Sequence, residues 1–170
     1  RRKLSLVSLP EAVEAAGEIA QIRFKAAGAT LRVSLPDDLP QVIGGPVRLQ
    51  QVLVNLLTNA ADAVELADNR EIELSAETHD GSVLVFVRDH GPGVPPDLAE
   101  RIFDPFFSTK EVGRGLGLGL SISYNIIKDF GGNLSVSSNQ GGGAVFTIAL
   151  LTGPPPEGAE QTADPAVSTG

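Results

Sequence analysis

Residues Gly113-Arg-Gly-Leu-Gly-Leu-Gly119 alternate glycine with larger residues and run straight into the apolar pattern of a helix. Glycine at every second position leaves successive backbone amides uncovered, and the start of a helix adds a field that favours anions. Leu116, Leu118 and Leu120 alternate with the glycines and can anchor the run to a core. The combination suits phosphate groups and does so without a P-loop lysine. A Rossmann reading does not fit. The run comes late in the chain, no parallel strand is evident before it, and no acidic residue follows about 20 residues on after a strand.

Three further motifs precede this run in a fixed order. The first, Asn55-Leu-Leu-Thr-Asn59-Ala60, lies in a helical pattern from Pro46 to about Ala67, where Leu49, Val52, Leu53, Leu56, Leu57 and Ala60 recur at near-helical spacing. Asn55 and Asn59 therefore share a face, with Asp62 and Gln51 near it. Amide oxygens on one face can meet magnesium, a hard cation that prefers oxygen ligands. Taken alone, two such asparagines merely cap or solvate a helix.

The second motif is Asp89-His-Gly91-Pro-Gly93. An ionised carboxylate only accepts hydrogen bonds, so Asp89 can pair with the exocyclic amine of adenine and repel the oxygen that guanine presents there. Gly91 and Gly93 let the backbone pass close to a base. Alone, Asp-x-Gly is an ordinary turn. His90 reads as an exposed loop side chain. The third motif, Phe103-Asp-Pro-Phe106-Phe107, can anchor a lid over about 104–116, although core packing is the simpler reading of Phe103. Lys110 is a point charge suited to a γ-phosphate. Arg114 is either a second phosphate partner or a solvated cation.

A length of 170 residues fits one domain with a core, and a hydrophobic fraction of 42% is ordinary for a globular protein. A net charge of −8 argues against nucleic acid or an anionic membrane as partner. The absence of cysteine excludes disulfides, zinc–thiolate sites and thiol nucleophiles. No apolar run approaches membrane-spanning length.

The pattern predicts helices over Pro10–Ala27, Pro96–Ile102 and Leu118–Phe130, besides the long one, and a strand over Ala29–Leu35. Hairpins are predicted over Glu71–Thr78 with Ser82–Arg88, and over Asn133–Asn139 with Ala144–Leu151. The expected class is α+β, a two-layer α/β sandwich with helices on one face of a mixed, mostly antiparallel sheet. The domain is expected over 10–151. Residues 1–9 read as the end of a preceding helical segment or linker. Residues 152–170 read as a disordered tail, too poor in large apolar side chains to offset ordering.

The order and spacing of these motifs resemble the ATP-binding catalytic domain of sensor histidine kinases, within the gyrase, chaperone, histidine kinase and mismatch-repair ATPase superfamily. The resemblance covers about residues 4–151 and implies a Bergerat-type fold with ATP and magnesium as cofactors. It implies Asn59 as metal ligand with Asn55 in support, and Asn55 and Lys110 as the catalytic pair. It places Asp62, Asp89, Gly91, Gly93, Lys110, Arg114, Gly115, Leu116, Gly117, Leu118 and Gly119 around the nucleotide. Thr147 would lie beneath the adenine near Asp89, with an ordinary β-branched strand residue as the other reading. Hydrolytic relatives carry glutamate at the Asn55 position to activate water. Asn55 cannot take a proton at neutral pH, so ATP should persist until another nucleophile arrives.

In histidine kinases that nucleophile is an imidazole on a separate dimerisation domain. His79, in a predicted turn, and His90 lack the helical His-Glu or His-Asp context of that site. The resemblance therefore implies a histidine-bearing dimerisation domain of the same kinase as partner and a response regulator downstream. It implies no nucleic acid, a monomeric isolated domain, and a place in the cytoplasmic part of a membrane-anchored sensor. Arg1-Arg-Lys3 is expected to be the last turn of the absent helical hairpin. The stretch Ile122–Gly132 resembles kinases that sense C4-dicarboxylates. Two rivals stand beside this reading. A self-sufficient ATPase is opposed by Asn55, and a degenerate nucleotide-binding scaffold is opposed by the intact glycine and asparagine motifs.

Overall fold

Ser8 starts the first helix: its hydroxyl oxygen accepts a hydrogen bond from the Glu11 N–H at 3.3 Å. Pro10 sits in the first turn, where a missing N–H costs nothing. The computed structural model describes residues 3–105 and 116–153, with the backbone alone for 116–118. Helix α1 runs Leu9–Ala27 and ends at Gly28, whose φ of 71° is left-handed. Helix α2 runs Pro46–Ala63 and helix α3 runs Leu116–Asp129. The small side chains Ala12, Ala16 and Ala20 in the buried stripe of α1 let it pack closely on the leucine-rich stripe of α2.

The described residues also form seven strands: β1 Ser5–Val7, β2 Thr30–Ser34, β3 Val42–Gly44, β4 Glu71–His79, β5 Ser82–Arg88, β6 Asn133–Ser138 and β7 Ala144–Leu151. The main sheet has the order β2-β4-β5-β7-β6, with β2 parallel to β4 and every other pair antiparallel. Alternation shows which face the helices cover. Val83, Val85 and Val87 of β5 are fully buried, while Leu84 and Phe86 between them are half-buried. Asp80 and Gly81 both have positive φ, as a two-residue hairpin turn between β4 and β5 requires.

The layered α+β class expected from the sequence is the one observed. Several boundaries differ. Strands β1 and β3 pair in a small antiparallel sheet of their own, and three-residue strands carry no readable period. Part of the expected linker over 1–9 thus belongs to this body, with Val7 and Leu9 in its core. Helix α2 stops before Ala67, because the chain turns after Ala63 through bonds from Glu65 N–H to the Asp62 carbonyl and from Ala67 N–H to the Val64 carbonyl. The expected helix over Pro96–Ile102 is two 3-10 turns, Pro96–Leu98 and Arg101–Phe103, where Pro95 and Pro96 together remove two amide donors. Helix α3 begins at Leu116 rather than Leu118. Thr152, expected in the tail, donates its N–H to the Gly81 carbonyl at 3.0 Å and bridges to Val42. The rest of that tail beyond 153 lies outside the described residues.

Candidate functional site

Asp89 follows the last residue of β5 and is only 2% exposed. Its Oδ1 accepts hydrogen bonds from the N–H groups of Gly91 at 2.8 Å and Ala144 at 3.3 Å. Its main chain is held as well: the N–H donates to the Ala144 carbonyl at 3.0 Å, and the carbonyl accepts from Asn139 Nδ2 at 2.8 Å. Burial pushes the Asp89 carboxyl above the ordinary value of 3.8, and the two backbone N–H groups and His90 pull it only partly back. The result is a fixed, poorly solvated acceptor at the end of a central strand.

Two glycines bring this acceptor to α2 and to the β6–β7 turn. A Cβ on Gly91 would stand 2.5 Å from the Ala63 carbonyl oxygen, so residue 91 must be glycine for the strand end to reach the last turn of α2. Gly93 has a left-handed φ of 82°, and a Cβ there would lie 3.0 Å from the Gly143 carbonyl oxygen. Asn59 lies one helical turn before Ala63 on the same face of α2. Its Nδ2 is buried and has no hydrogen-bond partner among the described residues. A buried amide left this way costs stability, which suits a side chain whose partner is a bound group.

Asn55 stands differently from Asn59. Its Nδ2 donates to Ser123 Oγ of α3 at 3.0 Å, and a Cβ on Gly119 would lie 2.7 Å from its Oδ1. Asn55 thus braces α2 against α3, with its oxygen turned to the Gly119 backbone. Gly119, expected among the phosphate-binding residues, sits in the first turns of α3, where the lack of a side chain leaves room for the Asn55 amide. Asp62, expected at the nucleotide, accepts from Arg23 Nε of α1 at 2.6 Å and forms a close ion pair with the same guanidinium. Phe103 takes the packing role: it stacks on Tyr124 with centroids 5.4 Å apart and meets Phe146 edge-on at 6.3 Å.

Thr147, expected beneath the adenine near Asp89, pairs with Phe86 and Ser135 in the sheet and so shares the half-exposed face with Phe86. Asp89 follows the alternation of Val83, Val85 and Val87 on the helix-covered face. Successive strand residues point to opposite faces, so the residue of β7 beside Asp89 is Ala144, through its backbone. The motifs did not reveal Asn139, Gly143, Ala144, Ser123 or Arg23, because their parts rest on contacts distant in sequence. The glycine run before β7 was the one available signal. Lys110, Arg114 and Gly115 lie outside the described residues, as do Phe106 and Phe107, and Leu116, Gly117 and Leu118 are placed only as the first turn of α3.

A family profile described as "Histidine kinase-, DNA gyrase B-, and HSP90-like ATPase" matches residues 44–154. The C4-dicarboxylate transport sensor protein DctB of Rhizobium meliloti is 39% identical over 143 residues, which is 84% of this chain and 22% of that protein. The chain thus spans under a quarter of the length of that relative. Among solved structures, the catalytic domain of histidine kinase ThkA in a nucleotide-free form is 28% identical with a TM-score of 0.76, covering 89% of this chain and 97% of that one. Full-length ShkA in complex with AMPPNP is 30% identical with a TM-score of 0.76, covering 90% of this chain and 32% of that one. The chain is homologous to the catalytic domains of two-component sensor kinases.

Proposed function

The chain belongs to the histidine kinase-, DNA gyrase B- and HSP90-like ATPase family, and on that footing we propose that it is the ATP-binding catalytic part of a sensor histidine kinase. It donates the γ-phosphoryl group of ATP to a histidine on a separate dimerisation domain, which passes it to a response regulator. The observation that carries this reading is the close approach of Gly91, which is bonded to the Asp89 carboxylate, to the Ala63 carbonyl, one helical turn after Asn59. A base-reading carboxylate at the end of β5 and an unpartnered amide near the end of α2 fit the base and the phosphates of a nucleotide.

Asp89 accepts the adenine amine. Both backbone N–H bonds go to its Oδ1, so Oδ2 is the oxygen for the base. The Asn59 amide fits a phosphate-bound magnesium: a half-turn of its amide plane sets the oxygen where the buried, unpartnered Nδ2 lies. Asn55 holds α3 beside that position and cannot activate water. When bound, magnesium supplies charge neutralisation to the phosphates. Lys110, Arg114 and the amides of Gly115 to Gly119 are assigned to the phosphates by their pattern. The likeness to the C4-dicarboxylate transport sensor protein DctB supports a dicarboxylate-sensing parent kinase, and the family resemblance supports a position for this domain in the cytoplasmic part of a membrane-anchored sensor. Among the described residues, no helix is long and apolar enough to cross a membrane.

Calorimetry with ATP and GTP tests the site. ATP is expected to bind well above GTP, and magnesium to strengthen ATP binding more than adenosine binding. Equal affinity for the two triphosphates would overturn the assignment of Asp89.

A further inference from the structure

We propose that Asn139 is a positioning residue for Asp89: its amide fixes the peptide from which the carboxylate projects, and base selectivity is therefore set in part from the β6–β7 turn. The inference rests on the reading of Asp89 as the base acceptor. Its geometry is independent of that reading.

The turn is bonded onto itself. Asn139 N–H donates to the Gly143 carbonyl at 3.0 Å, and Gly142 N–H donates to the Asn139 carbonyl at 3.0 Å. Asn139 is thereby held by its own backbone while its Nδ2 donates to the Asp89 carbonyl at 2.8 Å. Gly141, Gly142 and Gly143 all have left-handed φ, at 84°, 105° and 106°. Only the last is pressed against Asp89. A Cβ on Gly141 or Gly142 would meet nothing within 4 Å, whereas one on Gly143 would stand 2.0 Å from the Asp89 carbonyl oxygen and 2.8 Å from His90 Cα. Gly143 also reaches the far end of the motif, at Gly93.

Both main-chain polar groups of Asp89 are thus held by residues 139–144, the N–H by Ala144 and the carbonyl by Asn139. Among the described residues, the carboxylate itself is fixed at one oxygen only, by Gly91 and Ala144. A group fixed at one oxygen can pivot about it when the peptide behind it rotates. Holding the carbonyl removes that rotation. An acceptor that must meet one amine and reject an oxygen in the same place depends on such fixation.

The test uses Asn139→Asp, which keeps the shape but sets an acceptor against the Asp89 carbonyl, and Asn139→Ala, which removes the group. The first readout is amide exchange at Gly91 and Ala144 by NMR, compared with amides in the middle of β5. The second is the ratio of ATP to GTP affinity by calorimetry. Exchange at those two amides is expected to rise about tenfold, and the ATP:GTP ratio to narrow about five- to tenfold, the size of one lost hydrogen bond. A merely structural role would weaken both nucleotides alike and speed all amides together. Either that outcome, or parent-like exchange and ratio in the folded variants, overturns the inference. Asp89→Asn is measured alongside. If it leaves the ratio unchanged, the base-reading role of Asp89 fails, and the two amides alone decide whether Asn139 positions it.

Discussion

The Ala63 carbonyl oxygen occupies the space that a side chain on Gly91 would need, 2.5 Å from an added Cβ. Strand end and helix end therefore meet backbone to backbone. Gly91→Ala forces them apart and is expected to cost about 1–3 kcal/mol of stability, the usual range for overpacking. Denaturant unfolding measures this. A variant as stable as the parent contradicts the close approach.

Asp89 makes stability depend on pH in a stated direction. Its native pKa lies above the ordinary value of 3.8, so between the two values the native state binds more protons than the unfolded state. Stability from this group therefore falls as pH rises through that window and is then constant. Asp89→Asn keeps an acceptor for Gly91 and Ala144 and removes the buried charge. Without nucleotide it is expected to melt above the parent at neutral pH, while ATP affinity falls about 10- to 100-fold, as for a lost bond to a charged group. Thermal melts and calorimetry check both signs. A lower melting temperature contradicts the assigned cost of burial.

Asn59→Ala separates function from folding. The Nδ2 removed has no partner among the described residues, so the variant is expected to be no less stable than the parent. It is expected to lose most of the gain that magnesium gives to ATP binding. Titration of ATP with and without magnesium decides the matter. A magnesium effect that persists in the variant places the metal elsewhere.

The layers, the long helices and both hairpins were legible because each carries many residues of one period, as in the leucine stripe of α2 or the valines of β5. Asp89, Gly91 and Asn59 could be singled out from the sequence because each sits in a short local motif. Asn55 was read for its type but not for its contact, since Ser123 lies 68 residues away. Asp62 likewise meets Arg23 across 39 residues. The face of Thr147 was not legible, because it depends on which residue of β5 it pairs with, and a sequence does not print that pairing.

The Arg23–Asp62 pair joins α1 to α2, and both side chains are about a third exposed. Such pairs contribute roughly 0.2–1 kcal/mol. Arg23→Ala and Asp62→Ala are each expected to lower stability by that order, with a double variant no worse than either single one. A double-mutant cycle tests this, and fully additive losses would show that the two side chains do not act as a pair.

The central claim is a division of labour in which this chain holds ATP and another domain supplies the nucleophile. Incubation with γ-labelled ATP tests it most directly, first with the chain alone and then with the histidine-bearing helical hairpin of the parent kinase added. The account predicts little hydrolysis and no label on the chain alone, and an acid-labile label on the added hairpin. Steady release of phosphate by the chain alone, or label on His79 or His90, would contradict it.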